Sequence, residues 1–257
     1  MAIYTLTPQQ LKGAGIYNSF EIPAGGGSSF ASINSFTFDG VDDYIESTTS
    51  WSVLDNATSW SISFWIYPTS TTNDYFMELG GSPILNCYYI GSSGLLQLSL
   101  GSGSYYARTS ANSVPINQWT HVVWTWDGSQ SRYNKYQLYV NGVSDRALQS
   151  GNLNGQMGTM SSLYIGRRSL GTLNFLGNLD EIAFWNGTII SESEASEIYN
   201  SGVPTNLNDF STPPSSWIRM GENATWDREW TITDEISSDT YLSFNMAESA
   251  KTTNVPS

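Results

Sequence analysis

The sequence predicts an all-β protein, two antiparallel sheets packed face to face as a sandwich with one short helix, and three observations carry that prediction. Short aromatic or alternating runs recur from Phe36 onward between clusters of Gly, Asn, Asp and Ser. Of the 257 residues, 39% are hydrophobic, 14% aromatic and only 13% charged, a composition far from that of a disordered chain. No fixed-period repeat is present, which argues against propellers and solenoids, so one sandwich of roughly 12 or more strands is the economical architecture.

Taken in order, residues 1–30 read as an N-terminal arm: an apolar-polar stretch from Ile3 to Leu11, then the flexible run Ala24-Gly25-Gly26-Gly27-Ser28-Ser29. Ile3, Tyr4, Leu6 and Leu11 would be poorly buried alone and are expected to order by docking on a neighbouring subunit. Residues 31–203 hold the strand-like runs SFTFDG, DDYIEST, WSISFWIYP, LLQLSL, WTHVVWTWDG, YQLYVNGV, SSLYIGR and LDEIAFW. In WSISFWIYP, Ile62, Phe64 and Ile66 share one face and Trp65 and Tyr67 the other, so that strand is expected to be covered on both sides. Asn141-Gly142 can take positive φ at both central positions of a tight hairpin turn, which predicts that YQLYV reverses directly into the next strand. Ile62, Phe64, Val122, Trp124, Leu138 and Ile182 are the predicted core. The helix is SESEASEIYNSG, with Ser191 as its cap, Glu194 as capping-box partner and Gly202 as its stop. Residues 204–257 form a C-terminal extension with a strand candidate from Ser215 to Met220, expected to complete the sandwich or pack on it. The C-terminal third is the acidic end, since residues 176–257 hold 13 acidic against 3 basic residues.

The net charge of -13, from 23 acidic and 10 basic residues, repels polyanions and excludes nucleic acid as a partner. No run approaches the ~18 apolar residues that span a bilayer, and the N-terminus lacks a basic segment followed by an apolar one, so neither membrane insertion nor a secretory leader is expected. The single cysteine, Cys87, cannot form an intramolecular disulfide and reads as a small buried apolar residue.

From Phe36 to Gly202 the chain resembles the laminin-G-like, concanavalin A-like jelly-roll superfamily. The pieces, in the family's order, are SFTFDGVDDYIE, SWSISFWIYPTS, NQWTHVVWTWDG, YQLYVNGV, SSLYIGR and FLGNLDEIAFWNGTIISESEASEIYNSG. A Trp-bearing piece that family members often place before the FDG segment stands here after the helix, as PSSWIRMGENA. The resemblance implies a jelly-roll of two antiparallel sheets. It also implies a structural Ca²⁺ near the FDG turn and the Gly-x-x-Asp-Glu segment, at Asp39 and Asp180. The competing reading makes Asp39-Gly40 a plain turn and Asp180 an acceptor of backbone hydrogen bonds. SSWIRMG, ITDEISS and the opening YTLTPQQLKGAGIYNSFEIPAGGG are similar to virion-associated proteins of marine, cyanobacterial bacteriophages.

Three function classes follow. Superfamily hydrolases carry catalytic carboxylates at Glu-x-Asp-x-x-Glu on one strand, a spacing matched by Glu192, Glu194 and Glu197. Here those residues sit on a capped helix, which would spread them around its surface. His121, the only histidine, lies mid-strand and is expected to be packed and hydrogen-bonded, and one His with one Cys cannot build a zinc site. Sugar recognition pairs aromatic faces with planar polar groups, and Tyr88, Tyr89, Tyr105 and Tyr106 flank Gly/Ser-rich turns, half of each pair pointing outward by alternation. The functional expectation is a non-enzymatic phage structural protein, a capsid decoration or tail-fibre component on the virion surface. It would be made in the host cytoplasm, attach to other virion proteins through its arm as a homo-oligomer, and display a sandwich that contacts host glycans. The alternatives are a free lectin-like module and a glycoside hydrolase.

Overall fold

Alternation of buried apolar and outward residues builds strands such as LNCYYI, whereas SWSISFWIYP and THVVWTWD are buried on both faces. The computed structural model describes residues 30–101, 105–131, 134–150 and 156–257, with only the backbone of Tyr105 and Leu148–Ser150. Ile3, Tyr4, Leu6 and Leu11 lie outside the described residues. The strands are β1 (Ser35–Asp39), β2 (Tyr44–Ser47), β3 (Ser59–Pro68), β4 (Asn73–Gly81), β5 (Leu85–Ile90), β6 (Leu95–Leu100), β7 (Tyr105–Arg108), β8 (Thr120–Asp127) and β9 (Tyr136–Val140). There follow β10 (Val143–Ser144), β11 (Leu148–Ser150), β12 (Met160–Ile165), β13 (Leu176–Asn186), helix α1 (Glu192–Tyr199), β14 (Ser216–Ile218), β15 (Ala224–Trp226), β16 (Trp230–Thr233), β17 (Thr240–Phe244) and β18 (Lys251–Thr252).

They pair into two antiparallel sheets. The 8-stranded sheet runs β10-β9-β8-β3-β13-β1-β18, with β14 also on β13, and the 10-stranded sheet runs β11-β7-β6-β5-β4-β12-β2-β17-β16-β15. Residues 204–257 therefore supply β14 and β18 to one sheet and β15, β16 and β17 to the other, and Ala31–Ser257 forms one compact unit. This is the jelly-roll sandwich. Among the described residues no helix is long and apolar enough to cross a membrane.

The core lies between the sheets. Ile62 pairs with Trp124 and Phe64 with Val122 across β3 and β8, and these four with Leu138 and Ile182 are at most 1% exposed. Each such burial contributes roughly 1.5–3 kcal/mol. Cys87 is buried in the same core. Trp65, on the other face of β3, packs against Tyr199 of α1, so the strand is covered on both sides.

Local signals act where the chain needs them. Asn141 (φ +49°) and Gly142 (φ +76°) form the tight turn between β9 and β10. The Ser191 hydroxyl accepts the Glu194 N–H and the Glu194 carboxylate accepts the Ser191 N–H, closing the capping box of α1. The helix stops two residues earlier than Gly202. Asn200 takes the left-handed conformation (φ +44°) and its N–H bonds to Ser196, a role in which Asn substitutes for Gly.

Candidate functional site

The outward face of the ten-stranded sheet gathers aromatic and planar polar side chains from strands far apart in sequence. Register sets them in files. Tyr106 lies opposite Ser99, Ser99 opposite Asn86, Asn86 opposite Glu78, Glu78 opposite Tyr164, Tyr164 opposite Glu46 and Glu46 opposite Leu242. With strands ~4.8 Å apart, this file from β7 to β17 is about 29 Å long. A neighbouring file runs Arg108, Gln97, Tyr88, Tyr75, and beyond β12 the pair Tyr44 and Phe244 stacks with centroids 4.6 Å apart.

Of the four tyrosines predicted to meet a glycan, Tyr88 and Tyr106 stand half-buried on this face. Tyr89 does not. It is 1% exposed in the core, where its hydroxyl donates to the Val114 carbonyl at 3.3 Å, because successive residues of β5 point to opposite faces. Tyr105 pairs through its backbone with Leu100, and its side chain lies outside the description.

Tyr75 and Tyr88 meet at 4.6 Å between centroids and wall a cavity of about 330 Å³ shared with Asn86, Gln97, Ser99 and Arg168. The Arg168 guanidinium lies 4.6 Å from the Tyr75 ring centroid and is held by Thr172 Oγ1 at 2.7 Å. Gln97 Oε1 accepts two hydrogen bonds from Arg108, at 2.8 and 2.6 Å, which orients the amide, and Arg108 itself lies 4.5 Å over Tyr106. Burial raises the Tyr88 phenol above its usual pKa, as do the neighbouring Tyr75 and Asp74, while Arg168 opposes them. The phenol is therefore protonated at neutral pH, both donor and acceptor.

A second, larger cavity of about 740 Å³ lies at the rim between the Asp39–Val41 turn, Thr71–Asp74 and Gly171–Asn174. Here Asp39 Oδ1 accepts the N–H groups of Val41 and Asp42 at 2.8 and 3.2 Å, so this carboxylate closes its own turn. Burial, then Asp39, lifts the Asp43 carboxyl to about 6.

Asp39 and Asp180 do not come together. Asp39 groups with Asp42 and Asp43, and Asp180 with Glu181 and Glu222. The reason lies in β13: β1 pairs with residues 176–179 and β14 with 182–184, and between them a bulge with Glu181 at φ +48° leaves Asp180 and Glu181 facing that gap. Asp180 is wholly buried and accepts the Ser32 hydroxyl at 2.7 Å, and Glu222 Oε1 accepts the Ile33 N–H at 2.6 Å. Arg219 stands 3.4 Å from Glu181. Burial holds the Asp180 carboxyl well above the usual range, with Glu181 and Glu222 adding to the effect. Burial also lifts Glu181 to about 8 against the pull of Arg219. Three carboxylates facing one guanidinium, with Glu222 Oε2 buried and lacking a hydrogen-bond partner, fit a hard divalent cation better than the turn at Asp39 does.

His121 is fully buried beneath α1. Its Nε2 lies 2.8 Å from Ser63 Oγ, and Trp65 and Tyr199 pack on the ring, so this Ser–His pair has no access to a substrate. Glu192, Glu194 and Glu197 lie on α1, where Glu194 closes the cap and Glu192 accepts the Ser144 N–H. The sequence reading missed Asn86, Gln97, Arg108 and Arg168, and Tyr75 belongs to β4. The available signal was the alternation of LLQLSL, which sets Gln97 and Ser99 opposite the buried Leu96, Leu98 and Leu100.

Residues 39–196 match the family model described as the concanavalin A-like lectin/glucanases superfamily. No curated protein gives a significant match. Among solved structures, a Bacteroides ovatus ATCC 8483 protein assigned a carbohydrate-binding role superposes on 88% of this chain, with a TM-score of 0.61 and 17% identity, and this chain spans 62% of its length. The heptameric SAP-like pentraxin of Limulus polyphemus superposes on 83% of this chain and 96% of its own, with a TM-score of 0.52 and 14% identity. These likenesses carry the fold and do not extend to the virion resemblance of the sequence.

Proposed function

Because the chain belongs to the concanavalin A-like lectin/glucanases superfamily, we propose that it is a carbohydrate-binding protein whose ligand lies across the strands on the outer face of the ten-stranded sheet. The observation that carries this reading is the Tyr75–Tyr88 pair beside a cavity ringed by the amides of Asn86 and Gln97, the Ser99 hydroxyl and the Arg168 guanidinium. Sugar C–H faces stack on rings while hydroxyls need paired donors and acceptors, and this cavity offers both. The carbohydrate-binding role assigned to the similar Bacteroides ovatus protein is in keeping with it. The length of the file favours an oligosaccharide over a single sugar.

Binding without turnover is the reading for the two carboxylates on this face. A glycosidase needs an acid and a base or nucleophile free to flank the scissile bond. Glu78 is only 4% exposed and accepts the Ser169 N–H at 3.2 Å, and Glu46 lies opposite Tyr164 in the β2–β12 pair.

The test is a glycan array followed by titration calorimetry on the strongest ligand. Tyr88→Ala and Tyr75→Ala should each weaken binding by about tenfold, the loss of one stacking contact of ~1 kcal/mol or somewhat more. Wild-type affinity in both variants, or an array without any bound glycan, would remove the site.

A further inference from the structure

The chain has more than twice as many acidic as basic residues, 23 against 10, yet three of its arginines stand on one face without a carboxylate. Arg219, by contrast, stands 3.4 Å from the Glu181 carboxylate. Arg108 is held by the Gln97 amide oxygen and the Tyr106 ring, and Arg168 by the Thr172 hydroxyl and the Tyr75 ring. Arg167 lies 3.2 Å over the centroid of Tyr44, its Nε buried without a hydrogen-bond partner. Of the acidic groups on or beside this face, Glu78 accepts the Ser169 N–H, Asp74 accepts the Thr72 hydroxyl at 2.6 Å, and Glu46 lies opposite Tyr164.

Aromatic stacking and neutral acceptors fix the guanidinium planes while leaving N–H groups of each fork unused. An oriented fork of this kind matches a carboxylate or sulfate and loses little entropy on binding one. In the file Arg108, Gln97, Tyr88, Tyr75 a guanidinium stands at each end, Arg108 at the β7 end and Arg168 over Tyr75. The β7 and β4 backbones are three strand intervals apart, about 14 Å. A chain of sugars stacked on the tyrosine pair would present its substituents to both.

We propose that the ligand of this face is an acidic glycan, an oligosaccharide bearing carboxylate or sulfate groups, gripped by Arg108 and Arg168 on either side of the Tyr75–Tyr88 platform. The proposal rests on the carbohydrate-binding reading above and names the class of sugar. The overall charge of -13 does not oppose it at contact range. At 0.15 M salt the Debye length is about 8 Å, so distant acidic residues are screened while direct N–H···O⁻ contacts are not.

The experiment uses the full chain at 0.15 M salt on an array of oligogalacturonates, oligomannuronates and sulfated keratan oligosaccharides. Each is printed beside its uncharged counterpart, methyl-esterified, carboxyl-reduced or desulfated, together with neutral glycans. The expected result is that an acidic member binds at least about tenfold more tightly than its uncharged partner, as one lost charge-assisted contact implies. Whether uronate or sulfate is preferred identifies the source of the charge. Arg108→Gln and Arg168→Gln should each remove much of that preference, with Lys at either position restoring part of it, and unchanged melting curves would show that the variants fold. Equal binding of charged and uncharged partners, binding of neutral glycans alone, or a preference that survives in the double variant R108Q/R168Q would overturn the acidic class and leave the carbohydrate reading standing. An array on which nothing binds would overturn both.

Discussion

Lowering the pH from 7 to 5 should remove the contribution that the buried His121 makes to the stability of this protein. The ring is fully buried between Trp65 and Tyr199, and burial depresses its pKa from 6.5 to about 3 without help from a neighbouring charge. In the unfolded chain the same imidazole takes up a proton as the pH falls through 6.5, while the folded protein does not, so stability is lost on acidification below that value. Between pH 7 and pH 5 the difference is about 2 kcal/mol. Asp43, Asp180 and Glu181 together make a contribution in the opposite direction, because their folded carboxyls, held above the usual range chiefly by burial, take up protons before the unfolded ones do. That contribution cancels when the wild type is compared with His121→Leu across the same two pH values. Urea denaturation of both proteins at both pH values isolates the histidine, which is the only one in the chain. If the wild type and the variant lost equal stability between pH 7 and pH 5, the buried neutral imidazole would be the wrong description.

Removing the helix cap with Ser191→Ala should cost about 1 kcal/mol, read as a lower urea midpoint with an unchanged slope. Millimolar Ca²⁺ is expected to raise the melting temperature and excess chelator to reverse it, with a gain of about 2.7 kcal/mol when free ion reaches a hundredfold of its dissociation constant. Asp180→Asn should abolish that rise and Asp39→Asn should leave it, since the carboxylate group with an unpartnered buried oxygen is the one that includes Asp180. Superimposable melting curves with and without the ion would exclude a structural Ca²⁺.

The sequence by itself determined whatever depends on a few neighbouring residues. Period-two alternation in WSISFWIYP set Ile62 and Phe64 inward, Asn141-Gly142 specified the hairpin, and Ser191 with Glu194 specified the start of α1. These are properties of backbone dihedrals and local hydrogen bonds, and they are written within four or five residues of the chain. Which of Tyr88 and Tyr89 faces out was not written there, because either phase of β5 is locally acceptable and the packing of the opposing sheet chooses between them. The separation of Asp39 from Asp180 depended on the gap between β1 and β14 along β13, and Glu222 entered that group from the β14–β15 connection far along the chain. The polar-aromatic face is the most tertiary feature of all. Tyr106, Ser99, Asn86, Glu78, Tyr164 and Glu46 become neighbours only through the register of successive strand pairs, and that register is selected by the buried side of the sheet, which no short stretch of sequence contains.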